Sequence, residues 1–124
     1  MKFSLFIFLI LNTVFCFSQE AVFSIKEPLK KFPTTQEGAI LEHTFEFENK
    51  GKSPLIITDY SVGCKCTQVI YSKEPLLPGQ RGAVKIIFDT KGKYLQQDRT
   101  VYLMVNTKKK IVKLRFKVFV EPKK

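Results

Sequence analysis

The sequence predicts an all-β fold, an antiparallel β-sandwich of about seven strands, on three observations. Apolar and polar residues alternate with a period of two over several short segments. Those segments recur at near-regular spacing, separated by Gly, Pro and Asn turn signals. No segment carries the three- and four-residue spacing of apolar positions that an amphipathic helix requires. A closed barrel is the alternative arrangement of the same strands.

Residues 21–25 form a short apolar stretch, and Pro28 and Pro33 punctuate the charged segment behind it. Proline has no N–H to give a ladder, so this is expected to be an edge strand with a break. Residues 34–38 read as a polar turn. Next comes the clearest strand: Leu41, His43, Phe45 and Phe47 alternate with Glu42, Thr44, Glu46 and Glu48, which sets an inward face against an acidic, solvated one. Asn49, Gly51 and Pro54 turn the chain, and residues 55–61 form a strand rich in isoleucine and tyrosine.

Residues 67–71 return to β-type side chains. Residues 73–82 hold Pro75, Pro78, Gly79 and Gly82 and are expected to be a loop. Val84, Ile86 and Phe88 mark a further strand, residues 90–98 a polar connection, and residues 100–105 another strand. In the last strand Val112, Leu114, Phe116, Val118 and Val120 alternate with Lys113, Arg115, Lys117 and Phe119. Lysines there are expected to guard a sheet edge against pairing with a second chain. A face for an anionic partner is the alternative.

The N-terminus reads as a cleaved signal peptide. Lys2 precedes an apolar run over residues 3–17 that is broken only by Ser4, Asn12 and Thr13. It is shorter than the ~20 residues of a membrane span, and no stop-transfer pattern follows. Cys16 and Ser18 place small residues at −3 and −1 of a cut before Gln19. Lipidation of Cys16 is disfavoured by bulky Phe15 in front of it. The expectation is a leader over 1–18 and one domain over 19–124, exported to the periplasm or secreted, with no transmembrane span in the mature chain. The leader holds one lysine and no acid, so its loss takes the formal charge from +10 to +9. That charge suits anionic partners in general, but no nucleic-acid-binding motif accompanies it.

Of three cysteines, Cys64 and Cys66 are the two that survive the cut, one lysine apart. In an extended strand such a pair shares a face with Cα atoms ~6.6 Å apart, near the upper end of what a disulfide spans. A bend at Gly63 would close the bridge, and an oxidising compartment favours it. Four readings stay open: a structural bridge or two buried thiols; a soft-metal site, Cu(I) above all, with His43 as the one other soft donor; a thiol-redox site, aided by Lys65 and by Lys52 and Lys73 if they lie near; and pairing between chains. His43, on the apolar side of its strand, reads more simply as a packed core residue. No serine, histidine and acid combination or phosphate loop argues for an enzyme, and the carboxylates that share a face, Glu42, Glu46 and Glu48, read most simply as a solvated face.

Five motifs in order carry a family likeness: Phe45-Glu46-Phe47-Glu48-Asn49-Lys50-Gly51, Ser53-Pro54-Leu55-Ile56-Ile57, Gly63-Cys64-Lys65-Cys66-Thr67, Pro78-Gly79-Gln80-Arg81-Gly82, and Phe88-Asp89-Thr90-Lys91-Gly92. Over residues 36–122 the chain resembles the DUF1573 family, small exported bacterial domains. Lys65 stands where that family's pattern has glycine. The resemblance implies an immunoglobulin-like sandwich of the kind called ASH or major-sperm-protein-like, and a non-catalytic interaction module. Its expected partner is a protein or cell-envelope component, with no cofactor. The alternative is a copper or thiol-redox protein acting through Cys64 and Cys66.

Overall fold

The computed structural model describes residues 19–123, so the expected leader and Cys16 lie outside the described residues. Among the described residues nine strands follow in chain order: β1 (Phe23–Ser24), β2 (Leu29–Lys31), β3 (Thr35–Gln36), β4 (Ile40–Asn49), β5 (Ile57–Val62), β6 (Thr67–Tyr71), β7 (Arg81–Asp89), β8 (Leu95–Val105) and β9 (Ile111–Glu121). They form two sheets, ordered β1-β4-β7-β6 and β2-β9-β8-β5, with β3 also on β9.

The core is built from the period-two pattern. Phe45 on β4, Val84, Ile86 and Phe88 on β7, Val101 and Leu103 on β8, and Leu114, Phe116, Val118 and Val120 on β9 are buried between the sheets. Full burial of each such side chain is worth about 1.5–3 kcal/mol relative to exposure. Phe88 and Phe116 meet across the middle with ring centroids 5.1 Å apart. The intervening β4 residues Glu42, Thr44 and Glu46 face solvent, as the alternation requires.

The two strands beyond the expected seven, β2 and β3, and the first residues of β8 come from segments with little apolar signal. Thr35 and Gln36 pair with Val120 and Glu121 instead of forming a turn. β8 starts at Leu95, five residues before its apolar stretch, because Leu95 to Asp98 pair with Val120 to Lys117 of β9. Both β2 and β3 run parallel to β9, so that sheet is mixed.

This placement corrects the reading of the last strand. β9 is interior, flanked by β8 on one side and by β2 and β3 on the other. Its lysines therefore guard no edge. Arg115 donates to both carboxylate oxygens of Asp98 on neighbouring β8, and its guanidinium holds that carboxyl below the usual range.

Candidate functional site

The cysteine pair sits in a turn, not in a strand. β5 belongs to one sheet and β6 to the other, and Gly63 to Cys66 carry the chain between them. Thr67 N–H donates to Cys64 C=O at 3.2 Å, which closes a four-residue turn centred on Lys65 and Cys66. That turn brings Cys64 and Cys66 to disulfide distance, with Cα atoms 5.2 Å apart rather than the separation of an extended strand. The chain bends at Gly63 just ahead of this turn, and neither Gly63 nor Lys65 lies in the left-handed region. A lysine between the cysteines is thus compatible with the turn. Asp89 N–H donates to Cys66 C=O at 2.9 Å, and Cys66 packs against the core while Lys65 is exposed.

The other residues considered with the cysteines are elsewhere. Lys52 and Lys73 lie in the loops entering β5 and leaving β6, at the opposite end of the sandwich from the turn. His43 is on β4, separated from β6 by the whole of β7. It packs edge-on against Phe45 and Phe32, at centroid distances of 4.6 and 6.3 Å. Burial, and secondarily Lys30, holds its pKa below the ordinary 6.5 against an opposing pull from Glu27. No group of three His, Cys, Asp or Glu side chains placed to hold a metal occurs among the described residues.

One residue at the cysteine end was not singled out from the sequence. Arg99 pairs with buried Phe116 across β8 and β9, so its side chain enters the gap between the sheets. There it lies over the Phe88 ring, 5.9 Å from the centroid, and donates from Nη2 to Gln97 Oε1 at 2.6 Å. Its Nε is buried without a partner. Its signal in the sequence is a charged residue on the apolar phase of a strand, which the polar run from Leu95 to Asp98 conceals.

The second candidate is the edge of β4. β1 pairs with β4 only at Phe23–Asn49 and Ser24–Glu48, and the chain then crosses to β9 as β2. Among the described residues, no strand pairs with the rest of β4 on that side. The bonds Thr90 N–H to Ala39 C=O and Asn49 N–H to Gln80 C=O set the phase of the β4–β7 ladder, so odd-numbered residues of β4 bond to β7. The main-chain N–H and C=O groups of Glu42, Thr44 and Glu46 therefore point to the open side. A cleft of about 350 Å³ runs beside this edge, walled by Lys26 and Glu27 of the crossing segment and by β4 from His43 to Glu48.

Most of the motifs named above are consumed by architecture. Asn49 is fully buried, and its amide accepts from Val22 and Gly51 N–H and donates to Ser53 and Leu76 C=O. Pro78 and Gly79 occupy the centre of a turn closed by Gln80 N–H to Leu77 C=O, with Gly79 at φ +83° as a type II turn demands. A Cβ on Gly82 would come within 2.6 Å of Phe47 Cζ. Thr90, fully buried, donates from its hydroxyl to Ala39 C=O at 2.5 Å.

Residues 23–120 match the profile of a family described as "Protein of unknown function (DUF1573)". The chain belongs to the DUF1573 family. No curated protein matches it. Among solved structures it is similar to a protein of unknown function from Porphyromonas gingivalis W83, with a TM-score of 0.71 and 13% identity over 82% of this chain and 47% of that one. It is similar to the ASH/PapD-like domain 7 of human CEP192, with a TM-score of 0.64 and 13% identity over 85% and 89%. The secreted serine protease VesC from Vibrio cholerae matches with a TM-score of 0.59 and 12% identity, over 83% of this chain but 23% of the protease. The chain thus spans under half of the Porphyromonas protein and under a quarter of VesC. At such identities the likeness is one of fold: this DUF1573 domain is an immunoglobulin-like sandwich of the ASH/PapD-like kind.

Proposed function

We propose that this DUF1573 domain is an exported, non-catalytic interaction module that holds an extended segment of a partner protein along the open stretch of β4. The observation that carries this reading is the phase of the ladder: Glu42, Thr44 and Glu46 present N–H and C=O groups, beside a cleft, to a side on which no strand pairs among the described residues. A strand added there continues the line that β1 leaves after Ser24. Main-chain hydrogen bonds supply affinity in such additions, and side chains of alternate residues supply selectivity. Thr44→Pro tests it. Proline at 44 removes an outward N–H that β7 does not use, so the sheet is retained while strand addition is blocked. Binding of a partner peptide is expected to be lost with the thermal transition kept; unchanged binding overturns the reading.

A second reading is thiol–disulfide exchange at Cys64 and Cys66. Its support is Arg99, whose buried and unpartnered Nε lies between the sheets at the same end as the cysteine turn. A guanidinium near a thiolate favours the reduced pair. If this reading holds, Arg99→Gln makes the bridge harder to reduce in a thiol-buffer titration; an unchanged midpoint counts against it.

A further inference from the structure

The open stretch of β4 carries a charge pattern that selects among extended segments. In an added strand, residues opposite Glu42, Thr44 and Glu46 place their side chains on the outer face, and those between them turn toward the gap between the sheets. On the outer row Glu42 is only half engaged: Lys85 reaches it at 3.2 Å, but its side chain stays 53% exposed. Glu46 stands opposite Ala83, which offers no cation, and among the described residues neither it nor Glu48 forms an ion pair. The cations of the cleft cluster lower down, where Arg81 pairs in register with Glu48 and Lys50 follows the strand, and Lys26 stands where the chain turns away. The inner row is different in character. Leu41, His43 and Phe45 face inward, with half-buried Phe32 packed on His43 and on Phe116.

We propose that the partner segment is an extended peptide in which basic residues alternate with apolar ones, added antiparallel to β4 with its basic side chains beside Glu42 and Glu46. This rests on the reading of β4 as the binding edge. Directly opposed side chains on neighbouring strands lie ~4.5–5.5 Å apart at Cβ, close enough for opposite charges to favour pairing and like charges to oppose it. Apolar side chains of the other phase are placed against the Phe32 and His43 rim. A segment of the opposite pattern, acidic outside, meets two carboxylates in the same row. An acidic outer row thus acts on selection as well as attraction.

The test uses fluorescence anisotropy with the purified protein and capped hexapeptides that alternate lysine with valine, or glutamate with valine. A third probe is the lysine peptide N-methylated on alternate residues, in both phases, so that it cannot pair with a strand edge. The lysine peptide is expected to bind, the N-methylated forms not to bind, and Glu42→Lys/Glu46→Lys to weaken the lysine peptide about tenfold while improving the glutamate peptide. Equal binding of both charge patterns, with N-methylation still abolishing it, overturns the basic preference and leaves the edge reading standing. Binding that N-methylation does not affect, or no binding of any peptide, overturns both. Sedimentation of the protein alone provides the remaining outcome: self-association blocked by Thr44→Pro would make a second copy the occupant and overturn the proposal.

Discussion

Asn49 Nδ2 donates to the main-chain oxygen of Leu76 at 2.9 Å, across 27 residues of sequence. With its three other side-chain bonds, this ties Val22 just ahead of β1, the loop after β4 and the loop before β7 to one buried amide. An amide with all four hydrogen bonds made is saturated, and its removal strands Val22 N–H, Gly51 N–H and Ser53 C=O at once, while Leu76 C=O keeps the bond from Leu55 N–H.

Asn49→Ala is therefore expected to cost about 3–5 kcal/mol, since buried polar groups left without partners cost about 1–3 kcal/mol each and water replaces some of the lost bonds. Urea denaturation measures it. A loss below about 1 kcal/mol would show that the loops are held by something else.

Gly82 lies under the Phe47 ring, and Gly82→Ala is expected to destabilise by about 1–3 kcal/mol through overpacking. Phe47→Leu in the same chain should recover part of that loss. Additive effects of the two substitutions, measured as a double-mutant cycle, would place the clash elsewhere.

His43 links stability to pH. Its folded pKa lies below 6.5, so the unfolded chain binds the proton more readily than the folded one. The stability it contributes is complete above the unfolded value and is lost as pH falls from 6.5 through the folded value. The thermal transition is expected to fall over that window, and His43→Phe, which keeps the aromatic contacts, should flatten the fall. An unchanged slope would assign the pH response to other groups.

The cysteine turn is held by the bonds Thr67 to Cys64 and Asp89 to Cys66, and its two cysteines stand at disulfide distance. A bridge closing so short a loop restrains the unfolded chain little, by about 1.5 kcal/mol on the loop-entropy estimate. Cys64→Ser/Cys66→Ser should lower stability by about that amount and leave the circular dichroism of the sandwich intact. Unfolding of the variant would show that the bridge carries the crossover.

Much of this fold was legible in local chemistry. The alternation over residues 41–48 and 112–120 identified β4 and β9 and their inward faces, because one buried face imposes period two on a strand. The additional strand pieces were not legible: Thr35–Gln36 and Leu95–Asp98 are mostly polar, and neighbours rather than composition recruit them to β9. Arg99 was hidden for the same reason.

The sequence by itself determined the sandwich, the family and the pair of cysteines as a feature at one point of the chain. Only the tertiary structure decided that those cysteines sit in a turn between sheets, that the last strand is interior, and that β4 has an open side. The physical reason is that alternation records which face of a strand is buried, whereas edges and crossovers depend on which distant segment supplies the next ladder of hydrogen bonds.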